Sequence, residues 1–400
     1  TGGRSIDVKE ATIGLVGVFG YKSGFKTQEA FRQDVVSDTV EAEGTNLSST
    51  WDIVINGFGS ASASWGDNRV GVTGLLVRST SKKAQVEVGT DTNLPTGQSY
   101  RNEGTAWYER ELASAQLSGE HKLGDVELQW RGSIGQSTRK APYERDISYT
   151  VVNGITAFNG ASLGNAIRFS ELKDEVSSFG FDAKYVLKLA KGRELELSGG
   201  AVTSSTDRNY ELISFAFTGP RGPTSNNVLR SRVDYLFSPD NIDPARFVIS
   251  EQTGKDDAYI GSLENLAAYL ASEFEVTSFI RASVGVRYED ATQKVRTTNR
   301  FGDTPTAPVE LANDYLLPAA TITWNFADEL QMRLGYSKTI ARPQFRELAF
   351  TPYIDPESNR IYQGNPFLKD SEFENYDARL EYYFGRGQFV TAGAFYKKID

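Results

Sequence analysis

Cysteine does not occur among the 400 residues of this chain, histidine occurs once, as His121, and methionine once, as Met332. These scarcities exclude disulfides, zinc centres built on Cys or His, and nucleophile pairs built on Cys or His. No apolar run approaches the roughly 18 residues that a membrane-spanning helix needs. No block of Lys and Arg offsets the formal net charge of -9, which argues against a nucleic-acid partner. The opening residues, TGGRSIDVKE, contain no initiator Met, basic region or apolar leader. A secretory signal is therefore expected to have been removed or to lie outside the sequence.

What the chain does have is 37 glycines, 13 prolines, and aromatic residues that are far more often Tyr and Phe than Trp. That profile favours β structure rich in turns. The informative pattern is strict alternation sustained for about ten residues at a time. In FGFDAKYVLKL, Phe179, Phe181, Ala183, Tyr185, Leu187 and Leu189 share one face, and Gly180, Asp182, Lys184 and Lys188 share the other. After Ala190-Lys191-Gly192-Arg193, Leu195, Leu197, Gly199 and Ala201 alternate with Glu194, Glu196, Ser198 and Gly200. Comparable hairpins are expected around Gly66-Asp67-Asn68, Leu123-Gly124-Asp125, Val276-Thr277-Ser278, Ala327-Asp328-Glu329 and Gly385-Arg386-Gly387.

Between these hairpins lie long polar connections, near 22–51, 79–104, 137–172, 204–262, 291–313 and 338–374. Short turns on one side, long connections on the other, and strands of about ten residues with one apolar face are together the pattern of an outer-membrane barrel. Mean hydropathy of -0.41 does not oppose this, because the second face of each strand is polar. Hydrocarbon offers the backbone no hydrogen-bond partner, so without helices only a closed sheet can cross it. The expected fold is all-β: a transmembrane antiparallel meander barrel of about 12 to 14 strands, with Phe179, Tyr288, Phe326, Tyr336 and Phe384 in interfacial girdles.

Several stretches carry a family resemblance: AWYERELASAQLSGEHKL, APYERDISY, ENLAAYLASEFEVTSFIRASVGVRYEDATQKV, and above all residues 314–398, with SKTIARPQFREL, GNP followed by Leu368-Lys369, and YDARLEYYFGRGQF in order. The chain resembles the barrel of TonB-dependent outer-membrane receptors. The resemblance implies a barrel of about 22 strands around an N-terminal plug, in the bacterial outer membrane. It also implies uptake of a scarce large solute, such as siderophore-iron or a carbohydrate, driven by the TonB-ExbB-ExbD complex. With neither plug nor TonB box before the first strand, residues 1–400 are expected to be an internal part of such a barrel, short of its C-terminal strands.

No catalytic, cofactor-binding or metal-ligating set is expected. Asp182, Lys184, Arg281, Arg287, Arg333, Asp377, Arg379 and Glu381 are expected to face the lumen, as plain wall or as contacts to plug or substrate. Tyr353, Asp355, Arg360 and Tyr362 are candidate ligand contacts in an extracellular loop. His121 reads as a boundary residue, and Asp256-Asp257 and Asp328-Glu329 as solvated charge. Alternative readings are a barrel enzyme, an autotransporter-type barrel of about 12 strands, or a soluble β-rich glycan-binding module. Strand pairing is expected to stop near Arg342, where Pro343 turns the chain into a loop whose base Phe345, Leu348 and Phe350 would pack.

Overall fold

The computed structural model describes all residues except 161–163, 190–192, 299–307 and 355–360. The first six strands are β1 (Gly2–Val8), β2 (Ala11–Val36), β3 (Thr39–Trp65), β4 (Asn68–Asp91), β5 (Gln98–Leu123) and β6 (Val126–Val152). After a short β7 (Ile155–Phe158) come β8 (Ala166–Lys188) and β9 (Glu194–Thr218), then α1 (Asn226–Leu229), α2 (Val233–Leu236) and β10 (Val248–Glu251). The remainder is β11 (Ala258–Thr277), β12 (Ile280–Thr298), β13 (Val309–Ala327), β14 (Leu330–Ala341), α3 (Phe345–Leu348), β15 (Pro352–Ile354), β16 (Ile361–Gln363), β17 (Ser371–Gly385) and β18 (Gln388–Ile399).

All the long strands pair antiparallel with their neighbours in sequence, in the path β1-β2-β3-β4-β5-β6-β8-β9-β11-β12-β13-β14-β17-β18. These 14 strands form a meander, with β7 and β10 as short additions to β6 and β9 and with the sheet left open. Among the described residues no helix is long and apolar enough to cross a membrane.

Register locates the apolar band. On β12 the outward row is Ile280, Ala282, Val284, Val286 and Tyr288, and the same face then carries Asp290, Thr292, Lys294 and Arg296. On β8 it runs from Leu187 up to Phe179 before turning to Ser177, Glu175 and Lys173. Nine residues of strand extend about 27 Å, or about 21 Å of depth at a 40° tilt, close to the height of a barrel's lipid-facing band. Tyr336, Tyr376 and Tyr396 lie side by side at the upper edge, with ring centroids 5.1 and 6.1 Å apart. Trp324 with Phe326, and Tyr382 with Phe384, mark the lower edge at 5.3 and 5.6 Å. An aromatic ring gains most there, with one side in hydrocarbon and the other wet.

Two expected loops are not loops. Residues 22–51 and most of 79–104 continue the ladder, so that β2 and β3 run for 26 and 27 residues and join through Ser37-Asp38 alone. A crossing needs only about 9 to 11 residues, so the excess stands above the bilayer. There both faces meet water, the alternation of apolar and polar vanishes, and the segments read as loop although the backbone remains paired. The other connections are real but shorter than expected. Between β9 and β10 the connection carries its own packed cluster, where Leu236 and Phe247 are fully buried against Ile147, Tyr149 and Phe217.

Candidate functional site

The inward rows of most strands carry charge at bilayer depth, and much of it is paired. Asp182 accepts from Arg131 Nη1 at 2.7 Å and from the Tyr269 hydroxyl at 2.8 Å. Lys184 Nζ lies 2.7 Å from Glu196, and Arg281 reaches both Glu273 and Glu275 at 3.1 and 3.0 Å. Near the foot of β14 and β17, Arg333 and Arg379 flank Glu381 at 4.0 and 2.7 Å, and the Tyr383 hydroxyl donates to it at 2.6 Å. Glu381 is buried, with its charge matched on three sides. Asp377 occupies the same inward row, opposite Gly335. Six of the eight wall residues singled out in the sequence, Asp182, Lys184, Arg281, Arg333, Arg379 and Glu381, thus fall into separate small networks.

A larger cluster lies above the band. Strand pairing does stop where expected: β14 pairs with β17 as far as Ala341 opposite Ser371, and Arg342 leaves the ladder. The chain then turns across the inner wall. Arg342 Nη1 donates to Glu289 at 2.6 Å, and Arg287 holds the second Glu289 oxygen at 2.9 Å. The Gln293 amide donates to the Pro343 carbonyl at 2.9 Å. In α3, Gln344 and Glu347 cap the turn reciprocally, and Phe345 and Leu348 are buried against Tyr259 and Val295. Phe345 sits over Gly261, where a Cβ would lie 2.7 Å from its ring. The GNP that follows closes the element: Asn365 N–H donates to the Glu347 carbonyl at 2.6 Å, and Gly364 packs so closely on Ala349 that no Cβ fits. The expectation for Phe350 fails, because it lies 45% exposed while Ala349 takes the buried place.

Beside this element the upper inner wall is rich in tyrosine and arginine. Arg139 and Arg110 stand 5.0 and 5.6 Å from the Tyr108 ring centre. Arg208 makes two 2.6 Å bonds to Asp174 and lies 5.3 Å from the Phe345 ring centre. The rings of Tyr210 and Tyr259 are 5.2 Å apart. Burial pushes the phenols of Tyr108 and Tyr210 up to about 12, so both remain neutral donors. Burial, reinforced by Asp146, also raises the carboxyl of Glu144 against the pull of Arg168 and Arg139. Most of these residues lie in stretches that look like polar connection from sequence alone. Their only advance signal lay in AWYEREL and APYERDI, which contain Tyr108, Arg110, Glu144 and Asp146.

Of the loop candidates, Tyr353 in β15 pairs with Tyr362 in β16, and Tyr362 is exposed. Asp355 and Arg360 lie outside the described residues, as does the expected turn 190–192. His121 is outward at the lower boundary, between the Trp130 indole N–H at 3.1 Å and Asn68 at 2.9 Å, consistent with a boundary residue. Among the described residues no cluster of three or more His, Cys, Asp or Glu could hold a metal ion.

An open meander with a lipid-height apolar band, aromatic edges and a folded element on its inner wall is the geometry of a receptor barrel. The family model for "TonB dependent receptor-like, beta-barrel" matches residues 39–400. The chain belongs to this family. Its place is the bacterial outer membrane, and the family and its structural neighbours are receptors and transporters rather than enzymes. Among solved structures, this TonB-dependent receptor barrel is similar to the ferric yersiniabactin uptake receptor FyuA from Yersinia pestis. That match has 10% identity and a TM-score of 0.52, covering 99% of this chain and 53% of that one. It is likewise similar to the open form of the ferric-catecholate import receptor Fiu from E. coli K12, at 9% identity and a TM-score of 0.52, covering 99% and 60%. The chain therefore spans little more than half the length of these receptors. No curated protein matches the sequence.

Proposed function

We propose that this barrel serves a TonB-dependent importer of ferric siderophores, with the TonB-ExbB-ExbD complex supplying energy through the N-terminal region of the intact receptor. The observation that carries the substrate class is the upper inner wall, where Tyr108, Tyr210 and Tyr259 alternate with Arg110, Arg139 and Arg208. Ferric chelates are commonly anionic and aromatic, and neutral phenols beside guanidinium groups offer such a ligand hydrogen bonds, stacking and charge. The names of the two receptors above support the same class. The charges of the inner wall, Asp182, Lys184, Arg281, Arg287, Arg333, Asp377, Arg379 and Glu381, are read as the polar wall that a plug would meet. Tyr353, Asp355, Arg360 and Tyr362 are read as outer contacts for the incoming ligand.

Deleting the gene and supplying a panel of ferric siderophores and oligosaccharides as sole iron or carbon source tests this. Loss of growth on one or more iron chelates, with oligosaccharide use unchanged, is expected. Loss on an oligosaccharide alone would overturn the substrate class. In the intact receptor, Arg139→Ala is expected to weaken chelate binding by roughly tenfold, the scale of one charge-assisted contact.

A further inference from the structure

Positive charge on the inner wall is matched in some places and not in others. Arg208, Arg287 and Arg342 each meet a carboxylate at 2.6 to 2.9 Å. Lys83 on β4, Arg110 on β5 and Arg139 on β6 face the same lumen and stand in no ion pair among the described residues. Arg110 and Arg139 are direct cross-strand partners, and both lean on Tyr108, at 5.6 and 5.0 Å from its ring centre. Like charges set opposite each other on one face of a sheet destabilise the pairing. Lys83 stands opposite Ala106, one inward row above Tyr108, in the row that continues through Glu144 to Arg168. Its ammonium is held below the usual range by burial first and by Arg32 second, against the pull of Asp146.

The carboxylates in reach do not neutralise this group. Asp146 is held by Arg168 at 2.8 Å, and Glu144 adds one further negative charge. Lys83, Arg110, Arg139 and Arg168 against Glu144 and Asp146 leave an excess of two positive charges. Higher on the wall, Arg32 lies 3.8 Å from Glu87, so that pair adds nothing to the excess. Lys83 is seven residues beyond Leu76, the last apolar residue of the outward row on β4, which places it about 18 Å above the apolar band. A solute entering from outside therefore meets these cations in water. Lys83 and Arg110 are about 14 Å apart along the wall, on either side of Tyr108. Cations spread over that span suit a solute with several negative charges better than a single oxyanion.

We infer that Lys83, Arg110 and Arg139 form a charge filter, selecting ferric chelates that carry two or more negative charges over uncharged ones. The inference rests on the chelate reading above and narrows it by charge. A polyanion seated there screens Arg110 from Arg139 and favours the charged form of Lys83, a gain that an uncharged chelate cannot make. Arg208 has both of its bonds on Asp174 and so contributes no net charge to the filter.

Equilibrium binding to the intact receptor in detergent provides the test, with a trianionic ferric tris-catecholate and an uncharged ferric trihydroxamate as probes. The wild type is expected to bind the trianion at least tenfold more tightly at low salt, with the preference shrinking at high salt. Lys83→Gln and Arg110→Gln are each expected to weaken trianion binding by roughly tenfold and to leave trihydroxamate binding unchanged. Lys82→Gln, on the convex face of the same strand, should alter neither. Heat-modifiable mobility on gels verifies that each variant barrel is folded. Equal or tighter binding of the trihydroxamate by the wild type, or unaltered trianion binding in Lys83→Gln and Arg110→Gln, would overturn the filter and leave the chelate reading standing. An equal loss in Lys82→Gln would overturn it too, because the effect would then belong to the overall charge of the wall. Binding of neither probe, together with no growth defect on any iron chelate, would overturn both readings.

Discussion

Arg342 and Glu289 meet across the inner wall at 2.6 Å, with side chains only 17% and 10% exposed, although they belong to segments more than fifty residues apart. This bond fixes where the connection after β14 goes. Pro343 cannot donate to the ladder, and once pairing ends the guanidinium two residues beyond Ile340 turns inward to a carboxylate instead of outward to water. Removing it with Arg342→Met leaves Glu289 buried with Arg287 alone. A loss of about 2 to 4 kcal/mol in docking of the 342–370 connection is expected. Faster proteolytic cleavage in that connection, with the barrel still folded, is the measurement.

The same pair predicts an acid limit. Burial alone would raise the Glu289 carboxyl, but the bonds from Arg342 and Arg287 outweigh it and hold the group below its ordinary 4.5. A lowered carboxylate stabilises the fold fully above 4.5 and loses that contribution as pH falls through the folded value. Docking of the connection should therefore be insensitive to pH from neutrality down to about 5 and weaken below about 4. Glu289→Gln should abolish that dependence, as read by protease sensitivity across a pH series.

Glu144 behaves in the opposite sense. Its carboxyl is raised by burial first and by Asp146 second, so its ionised form opposes folding at neutral pH and the opposition disappears on acidification. Glu144→Gln is expected to raise the unfolding midpoint at pH 7.5 and to have no effect near pH 4, where the native carboxyl is already protonated. Urea unfolding of the refolded barrel at the two pH values provides the comparison.

Phe345 and Gly261 form a ring-on-backbone contact with no room for a methyl group. Gly261→Ala is expected to push Phe345 off the wall, and Phe345→Ala to cost about 3 to 5 kcal/mol of local docking. If the contact acts as inferred, the double variant should be no worse than Phe345→Ala alone, a coupling that a double-mutant cycle reads directly.

The position of the band is testable by charge. Val284→Arg on the outward row of β12 is expected to cost about 2 to 4 kcal/mol, whereas Thr292→Arg, eight residues higher on the same face, should cost less than about 1 kcal/mol. Refolding titrations into lipid vesicles measure both, and equal costs would show that the band does not end at Tyr288.

Much of this could be read from residues alone, for one reason: in hydrocarbon, side-chain alternation is compulsory. Wherever the lipid is, as in Phe179 to Leu187 or Ile280 to Tyr288, sequence determined the strand and its facing. The inward charges Asp182, Arg281 and Arg379 followed from the same alternation, and the end of pairing at Arg342 followed from Pro343, which cannot donate to a ladder. Above the bilayer the constraint lapses, and β2 and β3 look like loop between residues 22 and 51 although every position there but Ser37 and Asp38 lies in a strand. Only the ladder register, a relation between distant segments, carries them upward. Likewise the sequence placed Phe345 and Leu348 in a packed base, but the partners Tyr259 and Val295 come from other strands and were decided by tertiary contact. The row of Trp51, Lys82 and Trp107 is the plainest case, three residues on β3, β4 and β5 that antiparallel pairing sets side by side, with the Lys82 ammonium 4.2 Å from the Trp107 ring centre.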